Sequence, residues 1–204
     1  MLHYTTIHPE TLQLLKRLQE IDYLKNFRLV GGTALALQIG HRLSLDLDLF
    51  AFSTLEVTPV LDQIDSVGKI KIINQSPKVL NILIDDIKVD FVTYQYDFLK
   101  PIEVIDNIRL ASIVDIAAMK LSAITSRGAK KDFIDLFFLL KAFSLAQMFE
   151  YYYSKFPSAS DFLVVKSLTF FNDADTEPMP RMLVPISWED VKDKIIHEVG
   201  KLFP

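Results

Sequence analysis

Near residue 108 the hydrophobic pattern of this chain changes from mixed strand and helix periods to helical spacing alone, and that change limits the architecture more than any other feature. Before it, short runs such as "SLDLDLFA", "KIKIINQ", "KVLNILIDD" and "IKVDFVTYQ" alternate. A period of two places successive side chains on opposite faces of a strand. After it, "SIVDIAAMKLSAITSR", "KKDFIDLFFLLKAF" and "SWEDVKDKIIHEVGKLF" repeat apolar residues at helical spacing. The expectation is an α+β chain: a mixed sheet flanked by helices over residues 1–108, then a helical region over 109–204. No flexible linker marks the change, so two packed halves are expected.

Finer signals fill in the order of elements. A helix is expected over 9–24, starting near Pro9, and "FRLVGG" reads as a short strand. "TALALQIG" reads as a helix ended by Gly40, and 58–67 as another, with Pro59 near its start. Asp85-Asp86 is the expected turn between two strands, and a strand is expected near 102–105. Further helical pieces fall near 145–156 and 160–170. "NDADTEPMPRMLVP" reads as a solvated acidic loop, and Ser187 as the cap of the last helix.

Composition removes several kinds of chemistry. The chain has no cysteine, which excludes disulfides, thiolate metal sites and thiol nucleophiles, and fits a reducing compartment. "MLHYTTIHPETLQ" has no basic stretch followed by an apolar one, as a signal peptide would. No apolar run approaches the roughly 20 residues of a membrane span. The expected location is cytoplasmic, with no membrane partner. The net charge of −4 means that any grip on nucleic acid rests on a local patch.

The densest stretch is "VGGTALALQIGHRLSLDLDLF", residues 30–50. Gly31 and Gly32 sit between a strand and a helix, where bare backbone N–H groups can approach a phosphate. Thr33 can cap that helix or bond a phosphate oxygen. The helix is short and returns the chain to a strand carrying Asp46 and Asp48 on one face. Two like charges there repel, and a divalent cation would remove the repulsion. Asp90 in "IKVDFVTY" adds a third strand carboxylate. Carboxylates beside a phosphate cradle suit metal-assisted phosphoryl or nucleotidyl transfer. In "GHRLS", Arg42 is placed to reach phosphate and Ser44 to bond a carboxylate, while His41 reads equally as structural.

These residues resemble the signature of the AbiEii/AbiGii toxin family, nucleotidyltransferases of the DNA polymerase β-like superfamily. That pattern is Gly-Gly or Gly-Ser, a short helix, then an Asp-x-Asp strand, with Asp90 matching the third carboxylate. The resemblance continues in "KLSAITSRGAKKDFIDLFFL", a lysine, an arginine, then Lys-Asp-x-x-Asp, and covers most of 30–140. It implies a nucleotidyltransferase fold followed by a helical C-terminal part. It further implies Mg²⁺ or Mn²⁺ held by Asp46, Asp48 and Asp90, and an NTP substrate bound around Gly31, Gly32, Thr33, Arg42, Ser44 and Lys120. An RNA acceptor, tRNA in particular, and a cognate antitoxin protein are implied as partners, in a toxin–antitoxin or phage-defence (abortive infection) setting.

The helical motif also has a physical reading. Lys120, Arg127, Lys130 and Lys131 bring four positive charges into twelve residues of an acidic chain. Lys120 and Arg127, seven residues apart, face the same way on one helix. With the resemblance in view, Lys120 serves the triphosphate, and Arg127, Lys130 and Lys131 serve phosphate or the acceptor backbone. Asp132 and Asp135 either orient Lys120 or Arg127 by ion pairing or take part in catalysis. His3, His8 and His197 are dispersed and form no metal constellation. Three functions stay open at this level: transfer to RNA, transfer to a protein side chain, and NTP and metal binding without transfer.

Overall fold

In the computed structural model, which describes residues 1–52 and 55–202, α1 (Pro9–Glu20) starts on its proline and stops short of the expected end. Ile21 turns extended and Asp22–Leu24 make a separate 3-10 turn. β1 (Arg28–Leu29) leads directly into α2 (Gly31–Ile39), which ends at Gly40 with φ 72°, a left-handed position that favours glycine. Then come β2 (Leu47–Ala51), α3 (Val57–Ile64), β3 (Ile70–Ser76), β4 (Val79–Ile84) and β5 (Ile87–Thr93). β6 (Glu103–Ile105) and β7 (Ile108–Leu110) follow.

These strands form one mixed sheet in the order β3-β4-β5-β2-β1-β7-β6. β2 runs parallel to β5, and β1 parallel to β7. The expected hairpin joins β4 to β5 through Asp85 and Asp86, at φ 48° and 65°. Such a turn matches the twist of the flanking strands. Asp106 and Asn107 make a like turn into β7, a strand the sequence did not reveal. Three residues are too few to show alternation, and pairing of Leu110 with Leu29 across the chain places β7.

Alternation decides which face is core. Leu47, Leu49 and Ala51 of β2, Leu80, Ile82 and Ile84 of β4, and Val89 and Phe91 of β5 are all at most 1% exposed. Each of these side chains larger than alanine stabilises the fold by about 1.5–3 kcal/mol relative to an exposed one. The opposite face, with Asp48, Phe50, Asn81, Leu83, Lys88 and Asp90, is half-buried.

The chain divides into two compact units, Met1–Ser112 and Ile113–Pro204. The second is helical: α4 (Ile113–Ser126), α5 (Lys130–Leu139), α6 (Leu145–Lys155), α7 (Asp161–Leu168), α8 (Asn172–Asp175) and α9 (Trp188–Leu202). α4 packs against α5, α6 and α7, and α5 against α9. Ile116, Ala117, Leu121, Phe133, Leu136, Met148, Val164, Leu168, Val191 and Ile195 are fully buried between them. Ser144 opens α6 with a capping box shared with Gln147. Ser187 caps α9 as expected, accepting from the Asp190 N–H at 3.0 Å. Residue 203, expected in that helix, lies outside the described residues.

Two features of this unit depart from the sequence reading. The acidic stretch expected as a solvated loop contains α8, and its Asp175 accepts from Trp188 Nε1 at 2.6 Å. Asp115 of α4 and Lys155 of α6 form a fully buried ion pair at 2.8 Å, which no local pattern announced. Among the described residues, no helix is long and apolar enough to cross a membrane.

Candidate active site

The Gly-Gly turn is built against Asp48. The Val30 N–H donates to the Asp48 carbonyl at 2.8 Å, and the chain enters α2 at once. Gly31 takes φ +67°, and a Cβ there would lie 2.5 Å from Asp48 Oδ2. Glycine is therefore required twice, by backbone conformation and by the close carboxylate. At Gly32 the neighbour is different. A Cβ would collide with Nη2 of Arg42, so the guanidinium lies over this glycine. Arg42 is 4% exposed, and its Nη1 donates to the Leu43 carbonyl at 2.9 Å.

Thr33 does not cap α2. Val30 holds the N-cap position, with no side-chain cap. The Thr33 hydroxyl instead lies 2.8 Å from Ser44 Oγ and donates to the Asp46 carbonyl. Thr33 and Ser44 are both buried and pin the segment before β2. That pinning explains a second difference from expectation. Asp46 lies outside the ladder: β2 begins at Leu47, the Asp46 carbonyl accepts from Thr33, and the Ser44 N–H donates to the Thr6 carbonyl at 2.9 Å. His41 is fully buried.

Asp48 and Asp90 are brought together by register. β2 and β5 pair Leu47 with Val89 and Asp48 with Asp90, so the two carboxylates stand side by side on the half-buried face. Asp46, also half-buried, stands one residue before the first paired position. The fourth charge was not anticipated. Lys88 Nζ lies 2.9 Å from Asp90 Oδ2. Its ammonium is held above the ordinary lysine range by the hydrogen bond to Asp90, against the effect of burial, with the charges of Asp90, Asp46 and Asp48 adding to it. The signal was available in "IKVDF", where Lys88 and Asp90 are two apart and share a face.

The donor set suits a hard divalent cation only in part. Among the described residues, no three His, Cys, Asp or Glu side chains are grouped to hold a metal ion. Two adjacent carboxylates are nevertheless what Mg²⁺ needs, since it keeps waters and takes substrate phosphates as further ligands. Asp90 Oδ1 is buried without a hydrogen-bond partner, an arrangement that a cation would relieve.

The second unit carries the lysine–arginine motif. Lys120, 4% exposed, donates to Asp132 Oδ1 at 2.9 Å and pairs with Asp135 Oδ2 at 2.5 Å. Arg127 reaches the same Asp132 through Nε at 2.7 Å and Nη2 at 2.9 Å. Burial would raise the Asp132 carboxyl, but Lys120 and Arg127 outweigh it and hold it below its ordinary range. Of the two roles open for Asp132 and Asp135, ion pairing with Lys120 is the arrangement present.

The remaining cations separate. Lys130 is 5% exposed. Its N–H donates to Glu177 Oε2 at 2.8 Å and its ammonium donates to the Glu177 carbonyl, so it anchors the segment after α8. Arg127, with a side chain 55% exposed, and Lys131 are the cations of this motif turned to solvent.

A mixed sheet presenting adjacent aspartates beside a Gly-Gly helix start, with a helical second half, defines a nucleotidyltransferase-type chain. The family described as nucleotidyl transferase AbiEii toxin, type IV TA system, matches residues 13–200, and the chain belongs to it. An uncharacterized protein of Aquifex aeolicus (strain VF5) is 34% identical over 190 residues, spanning 90% of this chain and 91% of that one. Among solved structures, JHP933 from Helicobacter pylori is similar in fold, with TM-score 0.58, 17% identity and coverage of 96% and 93% of the two chains. So is MenT4, a nucleotidyltransferase toxin from Mycobacterium tuberculosis H37Rv, with TM-score 0.57, 13% identity and coverage of 95% and 86%. The protein is a nucleotidyltransferase, and membership in a toxin–antitoxin family implies an NTP substrate and an antitoxin partner.

Proposed function

We propose that this protein transfers a nucleoside monophosphate from an NTP to RNA, tRNA in particular, as the toxin of its toxin–antitoxin pair. The observation that carries the reading is the pairing of Asp48 with Asp90 across β2 and β5, beside the glycine start of α2. Asp48 and Asp90, with Asp46 adjacent, would hold Mg²⁺ or Mn²⁺. When bound, such an ion lowers the pKa of an attacking hydroxyl and neutralises developing charge on phosphate.

The chain's own residues do the rest. The first N–H groups of α2, at Gly31 and Gly32, offer the positive end of the helix dipole to the triphosphate. Arg42, lying over Gly32, adds a guanidinium to that corner. The acceptor oxygen bonds to the α-phosphorus as the bond to the bridging oxygen breaks and pyrophosphate leaves. The hydroxyl proton goes to a carboxylate of this cluster, with Asp90, the register partner of Asp48, as the acceptor. In the second unit, Asp132 and Asp135 hold Lys120, and Asp132 also holds Arg127, whose exposed guanidinium offers a contact for an acceptor backbone. Lys131, exposed at the start of α5, serves the same backbone.

The test is to incubate the protein with each α-labelled NTP, Mg²⁺ and total RNA, then separate RNA from protein. Label in the RNA pool that disappears with Asp48→Asn supports the reading. Label in the protein pool, or in neither, overturns it.

A further inference from the structure

The carboxylate face carries a cation of its own. Lys88 and Asp90 share one face of β5, and Lys88 Nζ lies 2.9 Å from Asp90 Oδ2. Asp48 is the register partner of Asp90. Asp46 and Lys88 each stand one residue before the first paired position, Leu47 with Val89. Asp46, Asp48, Lys88 and Asp90 thus make a block of three negative charges and one positive. Like charges side by side on a sheet are destabilising, and at Asp90 the Lys88 ammonium offsets part of that repulsion.

Lys88 is also placed to leave. Its side chain is 43% exposed, against 14% for Asp90, and its stem is flexible. The ammonium can swing into water without disturbing the buried face of the sheet. A divalent cation drawn to Asp48 and Asp90 meets Lys88 already on one Asp90 oxygen, and the two positive charges repel.

We propose that Lys88 is the resident counter-cation of this face, holding Asp90 when no metal is bound and competing with a divalent cation for it, so that Lys88 sets the metal affinity. This rests on the reading of Asp48 and Asp90 as metal-binding carboxylates. Lys88 is a positioning residue here: it holds the Asp90 carboxylate in the metal-free protein.

The experiment compares wild type, Lys88→Met and Lys88→Arg, each checked for folding by circular dichroism. Mn²⁺ alone is titrated calorimetrically, and the metal-free proteins are melted. Lys88→Met should bind Mn²⁺ roughly three- to tenfold more tightly than wild type, the scale of one partly exposed charge acting on a divalent ion. It should also melt at a lower temperature without metal, and Mn²⁺ should raise its melting temperature more than that of wild type. Lys88→Arg keeps the charge and should keep the wild-type affinity. Equal or weaker Mn²⁺ binding by Lys88→Met overturns the proposal alone, as does an arginine variant that binds as tightly as the methionine one. Failure of wild type and Lys88→Met alike to bind Mn²⁺ overturns the metal reading and the proposal with it. Should Lys88→Met not fold, Lys88→Gln removes the same charge with a polar side chain and is read in the same way.

Discussion

The Lys120 ammonium lies 2.9 Å from Asp132 and 2.5 Å from Asp135, with both carboxylates fully buried. Arg127 supplies a second cation to Asp132, so two positive and two negative charges balance across the α4–α5 corner. Removing one of the buried carboxylates leaves the buried Lys120 unbalanced, which typically costs about 3–5 kcal/mol. Asp135→Ala should therefore lower the unfolding free energy by about 3 kcal/mol or more in a urea titration. A loss below about 1 kcal/mol would mean that water reaches Lys120 once the carboxylate is gone.

The same cluster sets a dependence on acid. The Asp132 carboxyl is depressed from its ordinary value of 3.8, so the folded protein binds its proton more weakly than the unfolded chain does. Its stabilisation is complete above that ordinary value and is lost as pH falls through the lower folded value. Urea midpoints for wild type and Asp132→Asn, taken from neutral pH down through the carboxylate range, should differ by a constant amount at first and converge in acid. A gap that stays constant to the acid limit contradicts this account.

Gly31 and Gly32 should respond differently to alanine. At Gly31 the added Cβ meets both a left-handed backbone and Asp48 Oδ2. Left-handed strain alone costs about 1–2 kcal/mol, and displacing Asp48 should also weaken NTP turnover. At Gly32 the backbone φ is not in the left-handed region and the obstacle is the Arg42 guanidinium, the end of a flexible side chain. Gly32→Ala should retain more stability than Gly31→Ala, with its effect appearing in NTP affinity. Melting curves and a fluorescent-NTP titration on both variants decide it; equal stability would contradict the assignment.

Asp48→Asn preserves shape and removes a charge. It should melt within a few degrees of wild type yet lose at least roughly a hundredfold in NTP turnover, the usual scale for deleting one preorganised electrostatic group. Turnover near the wild-type rate with Mg²⁺ would place the chemistry elsewhere.

Lys130 and its neighbours should separate by phenotype. Changing Arg127 and Lys131 to Ala should weaken RNA binding and reduce its salt slope by about 1 to 2, since each single-strand phosphate contact contributes about 0.7. Lys130→Ala breaks the anchor to Glu177 and should lower the melting temperature with the slope unchanged. Filter binding across a salt series, together with melting curves, reads both. A slope that falls only with Lys130→Ala would reverse the assignment.

Local patterns in the chain were enough for β2, β4 and β5, for Gly40 and Ser187 at helix ends, and for the change from sheet to helix. Each of these is decided by neighbours a few residues apart, through alternation, helical spacing or a cap. The pairing of types around Asp48 and Asp90 was legible for the same reason, because strand period puts such residues on a face. Tertiary structure alone decided which residues meet. Register between β2 and β5, set by contacts some forty residues apart, put Asp48 beside Asp90, and the Thr33 bond to the Asp46 carbonyl holds Asp46 outside the ladder. Burial, which depends on the whole packed unit, separated Lys130 from Lys131 although they are adjacent in sequence, and joined Asp115 to Lys155 across two helices. A charge in a sequence has a sign but no neighbours. Its partner and its solvent are properties of the packed chain, and these turned a run of cations into one anchor, one oriented guanidinium and one exposed lysine.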